Sequence, residues 1–231
     1  SSHAMTLKGA FTNAGTFLAR TGAVTLSGAA AQAIAPVTFY DLELANATGA
    51  TISGNATVEH ALTLTDGVLA VGTSTLDVLG SVARGAGASC TALTSCFISG
   101  SVRKPVAAGD STIAFEIGSG STYAPASVAV GGAVAGGSLV ASTVAGVPSN
   151  YAATGLNPVN YVNRTWTVSP ADGLTLVSYD TTFTFADPGD LAGSPSPSLL
   201  ALRKWDGSAW TAPTATTATS TTVTGAGFTT F

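Results

Sequence analysis

The sequence predicts an all-β chain: a short right-handed parallel β-helix, or β-solenoid, over residues 6–105, followed by an immunoglobulin-like β-sandwich over residues 106–231. Three observations carry this reading. Ala (41), Thr (35) and Gly (27) make up about 45% of the 231 residues, a vocabulary of slim strands and tight turns and a poor one for helices. Charged residues are only 9% of the chain, against roughly 25% in ordinary soluble domains, which excludes coiled coils and charged disordered tails. Finally, apolar residues recur through the first hundred positions at a nearly constant offset.

Taken in order, Ser1-Ser2-His3-Ala4-Met5 reads as the remnant of an expression tag and stands outside the fold reasoning. The apolar pairs Val24/Leu26, Leu42/Leu44 and Leu62/Leu64, then single Val82 and Val102, follow one another at offsets of 18, 20, 20 and 20 residues. A solenoid needs such a period, because each coil advances by one strand spacing and stacks like on like. A second set, Ile52, Leu69/Val71 and Leu76/Val78, implies two or three short strands per coil. Gly22, Gly28, Gly49, Gly54, Gly67, Gly72 and Gly80 fall where the coil turns its corners. An antiparallel meander gives the same periodicity, so pairing direction stays open at this level. Solenoid ends need caps, and residues 6–20 are expected to cap the first coil or to pair with an upstream repeat.

Cys90 and Cys96 are the only cysteines and lie in a Gly- and Ser-rich stretch, which suits a small surface-loop disulfide in a secreted protein. As a loss of unfolded-chain entropy, a loop this short is worth about 2 kcal/mol, enough to pin one protrusion. Beyond residue 105 the period fades into longer runs at 112–117, 127–130, 138–144, 161–168, 174–186, 199–205 and 220–224, the strand count of a sandwich. No charge occurs between Ile117 and Asn163, and mean hydropathy is +0.41. Even so, residues 126–147 carry five glycines and split into a hairpin of 126–130 with 138–144 rather than a spanning helix. Trp166 alternates with Val162, Arg164 and Val168 and is expected to be the central core aromatic of the sandwich.

Five segments, Gly9-Ala-Phe-Thr-Asn-Ala-Gly-Thr-Phe17, Gly22-Ala-Val-Thr-Leu-Ser-Gly28, Ala31-Gln-Ala-Ile34, Phe39-Tyr-Asp-Leu-Glu-Leu-Ala-Asn46 and Leu62-Thr-Leu-Thr-Asp-Gly-Val-Leu69, resemble the β-helical repeats of large secreted, adhesin-like bacterial surface proteins. Residues 99–105, 115–118 and 123–125 are similar to the passage from β-helix to sandwich in such proteins, and 200–210 to a strand pair of that sandwich. The resemblance implies a non-catalytic structural or adhesive module, a stalk or spacer, of a larger secreted or surface-attached protein. Its partners would be neighbouring domains of the same polypeptide and cell-surface or matrix glycans. The chain stops at Phe228-Thr-Thr-Phe231 without a recognisable sorting or anchoring domain, which leaves the mode of attachment open.

The residues offer little chemistry of their own. A net charge of −4 with eight scattered Lys and Arg gives no footprint for nucleic acid and no case for membrane insertion. Asp41 and Glu43 share a strand face, but one 20-residue coil onward stand Ala61 and Thr63, so no carboxylate pair stacks for glycoside hydrolysis. A polysaccharide-acting β-helix enzyme is therefore the third reading, and no enzyme is expected. Arg84 and Arg103 are expected to solvate loops. His60 is the only histidine outside the tag, and no Gly-x-Ser-x-Gly occurs, so a solvated strand-end role is expected. Asp187 and Asp190, with Asp180 upstream, are candidate calcium ligands about a Pro-Gly turn; no other cofactor is expected. The sequons at Asn46, Asn55 and Asn163 are taken as chance matches in a Thr-rich chain.

Trp205 and Trp210 support the runner-up reading, a carbohydrate-binding module in which they and Arg203 form a platform. Residues 200–210 read as a hairpin about Asp206-Gly207. A two-residue turn pairs Trp205 with Ser208 and Arg203 with Trp210, exposing all four on one face. A three-residue loop with a bulge instead pairs Leu202 with Trp210 and buries Trp210 beside Leu200, the register favoured by apolar burial.

Overall fold

Parallel pairing settles the direction that the sequence left open. The structure, a computed structural model, describes residues 3–231; Ser1 and Ser2 of the tag remnant lie outside the described residues. It is 55% strand and 5% helix, as the all-β composition requires. The chain forms two compact units, one of residues up to Pro105 together with Glu116–Tyr123, the other of Val106–Phe115 and Ala124–Phe231.

In the first unit β1 (Met5–Leu7), β2 (Ala23–Leu26), β3 (Gln32–Ile34), β4 (Thr38–Ala45), β5 (Ala50–Ile52), β6 (Ala56–Asp66), β7 (Val68–Val78), β8 (Ser81–Arg84) and β9 (Phe97–Val106) pair in parallel with one another. Their registers define the three faces of a β-solenoid. One face stacks Val24, Leu42, Leu62 and Val82, with Leu26, Leu44 and Leu64 beside them. A second stacks Ala50, Leu69 and Ile98, and a third Phe39, Val58 and Val78. Leu26, Leu44, Leu62, Leu64 and Leu69 are all fully buried, each worth about 1.5–3 kcal/mol of transfer free energy. Strands β6 and β7 are long because each bends round a corner, and Glu59-His60 and Gly72-Thr73 sit exposed at those bends.

Glycine is required where successive coils touch. A Cβ on Gly80 would lie 1.8 Å from the His60 carbonyl oxygen, and one on Gly67, at φ +84°, 1.9 Å from that of Asn46. Another corner is polar and closed. Gln32 and Asn46 are 2% and 1% exposed. Gln32 Nε2 donates to the carbonyls of Leu7 (3.0 Å) and Gly9 (2.8 Å), and its Oε1 accepts from Gly28 N–H and Asn46 Nδ2. Asn46 Oδ1 accepts from Thr48. Asn46, set aside as a chance sequon, is thus a structural bracket whose amide is sealed from solvent.

Over the first coil, β1 adds a rung and Phe11 exchanges backbone hydrogen bonds with Ala33 and Ala35. The Phe11 and Phe17 rings then lie in series on buried Phe39, so residues 6–20 cover that coil. At Cys90 the register departs from expectation: Val102 stacks on Leu76, not on Val82. The reason is an excursion over residues 85–96, containing α1 (Ala88–Thr91), which lengthens that coil.

The Cys90–Cys96 disulfide closes this excursion (Cα–Cα 5.2 Å) with both cysteines at most 1% exposed. It is a buried bridge rather than the surface staple expected. Arg84 does not solvate the loop either. Its Nε donates to Cys96 O (2.8 Å) and its Nη2 to Cys90 O (2.8 Å) and Ser95 O (3.2 Å), and its guanidinium lies 3.6 Å from the Tyr123 ring centre. Arg103 pairs with Asp77 on the neighbouring rung. His60 Nδ1 lies 2.7 Å from Asp41 and its ring stacks on Tyr40.

The chain then contributes β10 (Gly109–Phe115) to the second unit and returns for β11 (Ile117–Ser119), parallel to β9, and β12 (Thr122–Tyr123). The second unit continues with β13 (Ala126–Ala135), β14 (Gly137–Ala145), β15 (Tyr161–Val162), β16 (Arg164–Ala171), β17 (Thr175–Thr184), β18 (Leu191–Ala192), β19 (Lys204–Trp205), β20 (Trp210–Thr211), β21 (Ala215–Ala218) and β22 (Thr222–Phe228). A five-stranded antiparallel sheet runs β10-β13-β17-β22-β21. Strands β13 and β14 do not form the expected hairpin: β13 lies between β10 and β17, whereas β14 pairs with β16. Among the described residues no helix is long and apolar enough to cross a membrane.

Candidate binding site

Strand alternation builds the site. On β17 every second residue, Tyr179, Thr181 and Phe183, points inward, and on β16 Arg164, Trp166 and Val168 do the same. Trp166 stacks on Phe183 with ring centres 4.9 Å apart, and its Nε1 donates to Ala124 O at 3.0 Å. It is therefore half-buried rather than the central core aromatic expected, because the space beside it is open. That space is a pocket of about 610 Å³. Its remaining walls come from β22, the connection 146–160, and residues 199–210.

Arg203, Trp205 and Trp210, the three platform residues read from the sequence, all line this pocket. Their register is neither of the two expected. Trp205 pairs directly with Trp210 and Lys204 with Thr211, leaving the four-residue connection 206–209. Asp206 fixes it: its Oδ1 accepts from the Ser208 and Ala209 N–H groups and the Ser208 hydroxyl, while its own N–H donates to Ala209 O. These hydrogen bonds hold the exposed Asp206 carboxyl below the usual carboxylate range. Both indoles consequently share one face, with ring centres 5.3 Å apart. Trp205 is 42% exposed. Trp210 is half-buried, not core.

Two enclosed polar atoms of the lining have no hydrogen-bond partner among the described residues: Trp210 Nε1 and Thr181 Oγ1. Buried polar groups are normally satisfied, and both atoms are closed to solvent in this conformation. Three cations also line the pocket, Arg164, Arg203 and Lys204, whereas no Asp, Glu or His does among the described residues. Arg164 is committed, its Nε and Nη2 each 2.8 Å from an oxygen of buried Asp190. Arg203 donates to two carbonyls, Thr154 O and Leu202 O, both at 3.2 Å. Lys204 Nζ donates to Thr230, and burial pulls its pKa down.

Of the two candidate calcium ligands, Asp190 is engaged by protein groups. Both Asp190 oxygens bind Arg164, and Oδ2 also accepts from Ala186 N–H at 2.8 Å. Asp187 is exposed, and no cluster of three or more His, Cys, Asp or Glu exists among the described residues. In the solenoid, Asp41 and Glu43 do meet Ala61 and Thr63 in register, and Glu43 accepts from Thr25 and Thr65.

Sequence reasoning missed Tyr151, Tyr161, Tyr179 and Thr181 as lining residues. The available signal was the connection 146–160, with Pro148, Tyr151 and three Asn, since long irregular connections in small domains commonly carry function. No protein-family model, curated protein or solved structure matches the chain.

Proposed function

We propose that the chain is a non-catalytic adhesive module of a larger secreted or surface-attached bacterial protein. The solenoid serves as a stalk or spacer, and the second unit, an immunoglobulin-like sandwich, holds a carbohydrate. The observation that carries this reading is the 610 Å³ pocket with paired indoles at its edge and no lining carboxylate. Sugar rings present apolar C–H faces that stack on aromatic surfaces, and their hydroxyls need directed polar partners. The lining brings both residue types together, Trp205 and Trp210 with Asn150, Asn157 and Arg203. It lacks the two carboxylates that glycoside hydrolysis requires, which favours binding over cleavage. The five-stranded antiparallel sheet and the β14–β16 pair support a sandwich-like second unit. The buried disulfide accords with an extracellular location.

A glycan array tests this, run with the intact protein and with Trp205→Ala and Trp210→Ala. Reproducible binding to at least one glycan is expected, lost in both variants while Trp205→Ala keeps its melting temperature. A folded protein that binds no glycan overturns the carbohydrate reading.

A further inference from the structure

We infer that the pocket takes an acidic saccharide, its ring against Trp205 and Trp210 and its carboxylate on Arg203; this rests on the proposal that the pocket binds carbohydrate. The charge distribution carries it. The chain has 12 acidic and 8 basic side chains, yet the lining holds three of the bases and no acid among the described residues. Arg164 is neutralised by Asp190, and its side chain is only 1% exposed. Lys204 reaches to Thr230 with Asp206 close by.

Arg203 is the exception. No carboxylate pairs with it among the described residues, and its only acceptors are two neutral carbonyls. Those bonds use Nε and one N–H of Nη1, so three of its five N–H groups remain, all on the terminal nitrogens. A carboxylate accepts from such a fork in bidentate fashion. Arg203 lines the same pocket as the indole pair, and in the inferred complex an acidic saccharide stacked on an indole meets the fork with its carboxylate.

Sialic acids and hexuronic acids share this chemistry, and the assay separates them. Intrinsic tryptophan emission is titrated with 3′-sialyllactose against lactose, and with trigalacturonate against galactotriose. At low salt, at least one acidic probe should bind about 10-fold more tightly than its neutral counterpart, as expected for one charge-assisted contact. That preference should shrink at high salt, collapse in Arg203→Gln and fall only part of the way in Arg203→Lys, which keeps the charge but loses the bidentate fork. Equal binding within both pairs, or a preference that is indifferent to salt and survives Arg203→Gln, overturns the acidic specificity but leaves a carbohydrate site. If Arg203→Gln fails to fold, the salt dependence of the intact protein and Arg203→Lys still decide. Binding of none of the four probes overturns the inference, and the array result then shows whether the carbohydrate reading falls with it.

Discussion

Removing Asp190 isolates the buried charge beneath the pocket. The Arg164 side chain is 1% exposed and that of Asp190 4%, joined by two charge-assisted hydrogen bonds at 2.8 Å. Asp190→Ala takes away both bonds, leaves the Ala186 N–H without its side-chain acceptor and strands a guanidinium that water cannot reach without opening the unit. Breaking one partner of such a pair costs about 3–5 kcal/mol, a large part of the roughly 5–15 kcal/mol that stabilises a domain. The melting temperature of the second unit should fall by more than about 10 °C. The readout is unit-specific, because the three tryptophans, Trp166, Trp205 and Trp210, all lie in the second unit. Urea unfolding followed by their emission therefore reports that unit without assuming that the whole chain melts together. The double variant Arg164→Met with Asp190→Leu should recover most of the loss, since an apolar pair of similar volume needs no desolvation of charge. A cost below about 1 kcal/mol for Asp190→Ala would show that Arg164 finds solvent and refute the argument. Millimolar calcium should leave the midpoint of the intact protein unchanged, because both Asp190 oxygens are already occupied.

Two further outcomes follow from the same accounting. Arg84→Ala removes the donor to the carbonyls of Cys90, Ser95 and Cys96, so the first unit should lose about 2–3 kcal/mol. Protease cleavage and hydrogen exchange within 85–96 should accelerate with the disulfide still intact, and an unchanged cleavage rate would contradict the clamp. Burial pushes the Tyr179 hydroxyl up to about 12, against about 10 in an unfolded chain. Its neutral form is favoured in the folded state, so the stability it contributes is fully present below about pH 10 and is lost as pH rises towards 12. Tyr179→Phe should therefore flatten the fall of the tryptophan-monitored urea midpoint between pH 9 and pH 12, and an identical fall in variant and parent would sink this assignment.

What the sequence made legible divides along a physical line. The solenoid is a repeat in one dimension, so an offset of about 20 residues is itself the contact map: Leu42 and Leu62 are neighbours because they are one coil apart. The reading failed where the coil length changed. Nothing local says that residues 85–96 displace the register, and so Val102 was assigned to the wrong column. The second unit has no such ruler. Its pairings join strands distant in sequence, and β13 and β14, adjacent and both apolar, part company although their sequence reads as a hairpin.

The site was legible residue by residue but not as geometry. Arg203, Trp205 and Trp210 were singled out for their chemistry, and all three line the pocket. Their mutual arrangement turned on Asp206, whose carboxylate collects two backbone N–H groups and a hydroxyl. Both registers weighed from sequence treated that residue as half of an Asp-Gly turn and gave its side chain no acceptor role. Asp190 and Arg84 follow the same pattern, each held by groups outside its own turn, Arg164 for the one and the carbonyls of 90–96 with the Tyr123 ring for the other. In a chain with so few charges, each one that is buried has a partner fixed by the fold. Arg203 lines the pocket with no such carboxylate partner among the described residues, and for that reason its guanidinium is where an anionic ligand has most to gain.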